Sequence, residues 1–197
     1  LLDQYKTAFP ILKEFGVPAT FFVITCTLYN EVPPVIAFQA LIKLLGARQV
    51  EEEVLPLVLK GTPYETLLNP VQYNIGSAKS GEPPEMRRIK WVFNHFPSQS
   101  FKRDLIVRIF KEFVGEVSLS RICAEYFMSW EQLVEMRDTG MEIGAHSHTH
   151  PPFDISGMSE IDYELQSSWA KLVSLGVQTF CWPFGGSFNP SVKKAVS

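Results

Sequence analysis

The sequence predicts an α/β fold: a parallel sheet or barrel that carries a large all-helical insertion. Three observations predict it. Short apolar runs rich in β-branched and aromatic residues, Ala19-Thr20-Phe21-Phe22-Val23-Ile24 among them, read as strands buried on both faces. Stretches of helical periodicity alternate with those runs near both ends of the chain, as in β/α proteins. Between about 27 and 125 the texture changes to helical stripes with almost no strand signal.

Taken in order, Leu2, Tyr5, Phe9, Leu12 and Phe15 recur at helical spacing and Gly16 stops them, so residues 2–15 read as an amphipathic helix. Pro10 is expected to kink it or begin a second turn, and Asp3 to cap it. The first strand follows. In the helical region, Pro33-Pro34 open a run to Leu45 and Gly46, and Thr62-Pro63-Tyr64-Glu65 carries the residues of a capping box. Met86, Ile89, Val92, Phe93 and Phe96 form one stripe; Leu105, Ile106, Ile109, Phe110 and Phe113 form another. Four or five helices are expected there, with His95 structural or solvated. Ser129-Trp130-Glu131-Gln132 is a second capping box, opening a helix to Gly140, and 141–145 reads as the next strand. Ser159 is the expected cap of a helix reaching Gly176; 177–181 reads as a strand, and Asn189-Pro190 as the start of a last helix.

The chain has 197 residues, 46% hydrophobic, 20% charged and with a formal charge of -3, which suits a globular domain and provides no basic field for nucleic acid. Cys26, Cys123 and Cys181 are odd in number and lack C-x-x-C spacing, so neither a disulfide framework nor a cysteine zinc site is signalled. No apolar run reaches membrane-spanning length. Leu1 in place of methionine suggests a cut N-terminus and leaves the compartment open between cytoplasm and cell envelope.

Three of the four histidines fall in Gly144-Ala145-His146-Ser147-His148-Thr149-His150-Pro151, at the carboxyl end of a strand, where active groups of parallel sheets gather. Neutral imidazoles are good ligands for a divalent metal ion. In an extended strand His146 and His150 would lie about 13 Å apart; in a turn of helical pitch they would be about 6 Å apart on one face. A shared ion therefore needs the chain to curl directly after Ala145, with Pro151 ending the curl at His150. His146 and His150 are then the ligand pair and His148 points elsewhere, while Ser147 and Thr149 tie the turn to its own backbone. His148, Asp154, Asp162 and Cys181 are all open as third ligand. The plainer reading is a polar loop whose histidines only hydrogen-bond.

These residues resemble the polysaccharide deacetylase family, also called the NodB-homology family or carbohydrate esterase family 4. Its H-[ST]-x-x-H motif matches His146-Ser147-His148-Thr149-His150, and its aromatic turn ending in Pro-Tyr/Phe-Gly matches Phe180-Cys181-Trp182-Pro183-Phe184-Gly185. Residues 2–24 resemble the segment that follows the family's T-F-D-D-G motif. The resemblance implies a partial, distorted (β/α) barrel of the polysaccharide deacetylase type, a single partial domain over 1–197 with the helical insertion at about 27–125. It implies His146 and His150 as ligands of a divalent metal, zinc being the expected one, with Ser147 as the loop-stabilising hydroxyl. It also implies Pro183 as the motif turn and the Phe184 backbone amide as an oxyanion donor. Many members have arginine where Cys181 stands.

The activity so implied is a metal-dependent hydrolase, a carbohydrate deacetylase acting on C–N (non-peptide) or ester bonds of N- or O-acetylated sugar or polysaccharide. The general base, the third ligand and the general acid are expected outside the chain, which would be incomplete at both ends and inactive alone. Trp182 and Phe184 could face a sugar ring, core packing being the competing role for Trp182. Two other readings stay open: a non-catalytic member whose helical insertion binds a protein partner, and a different barrel metal hydrolase.

Overall fold

The computed structural model describes residues 1–69, 83–94, 99–115, 119–153 and 156–185. His95, Phe96, Asp154, Gly186 and the Asn189-Pro190 pair lie outside them. The described residues are mostly helical, with one small parallel sheet made of β1 (Thr20–Val23) and β2 (Glu142–Ala145). The helices are α1 (Phe9–Glu14), α2 (Pro34–Leu45), a continuous segment α3 (47–59), α4 (Pro84–Asn94), α5 (Gln99–Ile109), α6 (Leu119–Tyr126), α7 (Trp130–Asp138) and α8 (Met158–Leu172). The chain divides into two compact units, one formed by Leu1–Pro33 with Leu119–Ser197, the other by Pro34–Ser118.

In the first unit, the helix expected over 2–15 is split. A wide π turn, Gln4–Ala8, precedes α1, with Pro10 in the first turn of α1. Proline lacks an amide hydrogen and crowds the carbonyl four residues back, here Lys6, and the wider turn relieves both. The same pairing recurs in α3, where the wide turn Val50–Val54 precedes Pro56. Asp3 caps as expected, accepting from the Gln4 amide. Gly16 adopts φ 63°, and Val17 N–H and Gly16 N–H bond back to Leu12 and Lys13 to close the helix end. Phe15, expected on the buried stripe, is instead the C-cap of α1 and lies 73% exposed.

β1 and β2 pair with Phe21 beside Ile143 and Val23 beside Ala145. Those four side chains are buried with Phe9, Leu133, Met136, Leu172, Leu175 and Val177, so one sheet face packs on helices. Burying each such large apolar side chain contributes about 1.5–3 kcal/mol. On β2, a Cβ at Gly144 would stand 2.6 Å from the Phe22 ring and 2.8 Å from the Thr179 hydroxyl, so only glycine fits. The strand expected over 177–181 shrinks to a single parallel bridge, Phe180 to Ala145. Glu142 joins the three chain segments, accepting hydrogen bonds from Thr20 and Thr179 at 2.6 and 2.9 Å. Neither closure nor a barrel is formed by the described residues.

Two expected caps differ from the structure. Ser129 and Gln132 make the reciprocal capping box of α7, but α8 begins at Met158 with Gly157 as its cap, leaving Ser159 inside the first turn. At Thr62-Pro63-Tyr64-Glu65 a single 3₁₀ turn, Glu65–Leu68, replaces the helix. Thr62 Oγ1 accepts from the Tyr64 amide, while Glu65 accepts from the Gly61 amide.

In the second unit helices are joined by turns, with no strand among its described residues. Ala37, Phe38 and Leu41 of α2, Val50, Val54, Leu55, Val58 and Leu59 of α3, Ile89, Val92 and Phe93 of α4, and Leu105, Ile106 and Ile109 of α5, with Phe110 after it, are buried. Phe38 stacks on Phe93 with centroids 4.4 Å apart, and Lys102 Nζ sits 5.1 Å from the same ring. Glu51 pairs with Arg88 across α3 and α4.

Candidate metal centre

The three parallel segments deliver their carboxyl ends side by side. His146 N–H donates to Val23 C=O, and Cys181 N–H donates to Ala145 C=O, each at 2.9 Å, so the histidine loop and the Pro-Phe-Gly turn leave neighbouring strand positions. The loop does curl after Ala145, by a different backbone route from the expected helical turn. Ser147 and His150 both take left-handed conformations, φ 63° and 64°. Two such residues reverse the chain within five positions; each costs on the order of 1 kcal/mol for a residue with a Cβ and has to be held by its surroundings.

The result is convergence. His146 Nε2 and His150 Nε2 lie 3.1 Å apart, both rings partly buried. His146 Nδ1 lies 2.8 Å from the Cys181 carbonyl, an acceptor only, so Nδ1 carries the proton and the Nε2 lone pair faces His150. Two nitrogens held by one zinc at about 2.0–2.1 Å in near-tetrahedral geometry sit about 3.3 Å apart, so the observed spacing fits a shared ion. His150 Nδ1 is buried and has no hydrogen-bond partner among the described residues.

Burial lowers the pKa of both rings. His150 is pushed down to about 4, first by burial and then by the neighbouring His146. His146 is lowered by burial against the opposing effect of its bond to Cys181. Both imidazoles are therefore neutral near pH 7, the protonation state a ligand needs.

The other expected residues fall into place unevenly. Ser147, fully buried, accepts the His150 N–H at 3.0 Å and ties the turn to its own backbone. Thr149 does not; its hydroxyl goes to Glu164. His148 is buried with Nδ1 on Thr25 at 2.9 Å and its ring edge-on to Tyr29 and Tyr163. Asp162 is exposed on α8, and Cys181 meets the pair through its carbonyl. Among the described residues no third His, Cys, Asp or Glu completes a metal cluster. Pro183 is buried; Phe184 is left-handed, φ 57°, and its ring lies 4.8 Å from that of His150. Trp182 packs on Phe153 and Phe180 at 5.6 and 5.4 Å, a core contact rather than a free platform.

Sequence reasoning missed Glu164. It is 1% exposed, and its carboxylate accepts from the backbone amides of His148 and Thr149, both at 2.7 Å, and from the Thr149 hydroxyl. The available signal was its position: Ile161, Glu164, Ser168 and Leu172 share the buried face of α8, where an unpaired charge does not belong.

Residues 106–197 match the family model described as polysaccharide deacetylase. Over these residues the chain is similar to polysaccharide deacetylases. The match takes in both motifs of the site and begins at Ile106, inside the stretch read as insertion; the likeness over 1–26 lies outside it. No curated protein and no solved structure matches the chain. The match supports a function of the carbohydrate deacetylase type. None of the helices among the described residues is long and apolar enough to cross a membrane.

Proposed function

We propose that this domain works in a metal-dependent hydrolase that removes acetyl groups from N- or O-acetylated carbohydrate, and that His146 and His150 hold its ion. The observation that carries the reading is the convergence of two neutral Nε2 atoms at 3.1 Å beside the Pro-Phe-Gly turn. The nitrogen donors suit zinc. Such an ion supplies Lewis acidity toward an acetyl carbonyl and toward water. On this reading the Phe184 amide donates to the oxyanion, Pro183 fixes the turn, and Ser147 keeps the two imidazoles on one side of the loop. On this reading the helical stretch of about 27–125 is an insertion in the domain.

The test is acetate release by the full-length protein from a panel of N- and O-acetylated sugars, with and without chelator. Release that a chelator removes and added zinc restores is expected. Release indifferent to chelator would refute the metal, and none from any sugar would favour the non-catalytic reading, in which the helical unit binds a protein partner.

A further inference from the structure

The histidine loop is held from outside as well as by its own bond from His150 N–H to Ser147 Oγ. Several of its backbone groups have partners in distant segments. His146 N–H goes to Val23 C=O of β1. Ser147 and His148 C=O accept from Thr25 and Cys26 N–H, in the 3₁₀ turn Thr25–Tyr29. On the other side, His148 and Thr149 N–H both go to Glu164 of α8 at 2.7 Å. Those last two amides lie between the left-handed residues Ser147 and His150, so whatever holds them sets the separation of the two imidazoles. A carboxylate 1% exposed on an apolar helix face is costly to bury and is tolerated only where donors surround it. All three donors given to Glu164 come from this loop, and the hydroxyl of Thr149 takes the remaining oxygen.

We propose that Glu164 is a positioning residue of the metal centre: its carboxylate grips the backbone between His146 and His150 and keeps their Nε2 atoms converged. This rests on the reading of His146 and His150 as a ligand pair and extends it to a residue that touches neither ring. Alanine in its place removes both acceptor oxygens. Aspartate keeps the charge but falls short by one methylene. Either change would let the left-handed turn relax while the ligands themselves stay.

Cobalt(II) titration of the full-length protein, followed by its visible absorption, tests the idea without relying on turnover. Glu164→Ala, shown folded by circular dichroism, is expected to weaken cobalt binding by about 10–100-fold and to alter the absorption bands, as loss of a group that orients a ligand does. Glu164→Asp is expected to show the same change. A folded Ala variant with the parent's affinity and spectrum would overturn the proposal. So would an Asp variant that restores both, since charge rather than grip would then be what matters. Failure of the parent to bind cobalt at all would instead overturn the ligand-pair reading, and this proposal with it.

Discussion

The two units solve burial in opposite ways. Among the described residues, the helical unit Pro34–Ser118 buries one charged or polar side chain, Lys102, whose ammonium lies over Phe93. The other unit buries Thr25, Thr27, Ser147, His148, Glu164 and Ser168. Thr25, Ser147, His148 and Glu164 belong to the histidine loop or bond directly to it. Buried polar groups are costly unless fully partnered, so a fold that gathers them round five residues is spending stability to fix a geometry. Apolar cores like that of the helical unit fix only shape. The difference teaches where to look for chemistry: in the unit whose interior is polar.

The sharpest way to break this comparison is to remove the loop's imidazoles one at a time. His146→Ala or His150→Ala should abolish chelator-sensitive acetate release, because on the proposed reading each holds the ion through its Nε2. His148→Ala should retain it, since that ring bonds Thr25. A variant series in which only the His148 change is severe would reverse the ligand assignment. In the helical unit the counterpart is Leu41→Ala. Leu41 is fully buried, and truncating such a side chain costs about 2–5 kcal/mol. Denaturant unfolding should register that loss while cobalt affinity of the folded variant stays at the parent's value; a large change in affinity would show that the apolar unit shapes the site.

Much of the centre was legible in the sequence, and what was not has a common cause. The spacing of His146 and His150, the strand before them and the proline after them sufficed to expect those two rings side by side and His148 elsewhere. The route of the curl was not legible. Left-handed Ser147 and His150 are stabilised by Val23, Cys26 and Glu164, groups distant in sequence, and local spacing could offer only a helical turn. Phe180 stayed a lone bridge although 177–181 has a strand's composition, because strand length is decided by the neighbour it pairs with. The cap of α8 was misplaced for a subtler reason: Gly157 can cap through backbone geometry alone, and Ser159 was the more conspicuous residue.

Glu164 also yields a smaller, pH-dependent effect. Burial raises its pKa above the usual 4.5, outweighing the hydrogen bonds from Thr149 and His148 that lower it. A carboxyl raised in the folded state binds its proton more readily there than in the unfolded chain. Its contribution to stability is fully present below about 4.5 and is lost as pH rises through the folded value. Glutamine does not titrate. The stability gap between parent and Glu164→Gln, read from thermal unfolding at a series of pH values, should therefore widen as pH falls from neutrality toward 4.5. A gap that narrows would mean that the hydrogen bonds, not burial, dominate this carboxyl.

The smallest effect is also the cleanest control, because it touches the polar unit without touching its loop. Ser129 Oγ accepts from Gln132 N–H, and the Gln132 side chain accepts from Ser129 N–H in return, a box exposed to solvent at the start of α7. Ser129→Ala removes one of these bonds and should lower stability by about 1 kcal/mol. α7 buries Leu133 and Met136 in the same cluster as Ile143 and Ala145 of β2, so its loosening could in principle reach the strand that launches the histidines. If the loop is held as its hydrogen bonds indicate, by β1, the 3₁₀ turn and Glu164, cobalt affinity will not follow the drop in melting temperature. If affinity falls in step with stability, the centre depends on the whole packed unit, and the grip assigned to Glu164 is shared with the core beneath it.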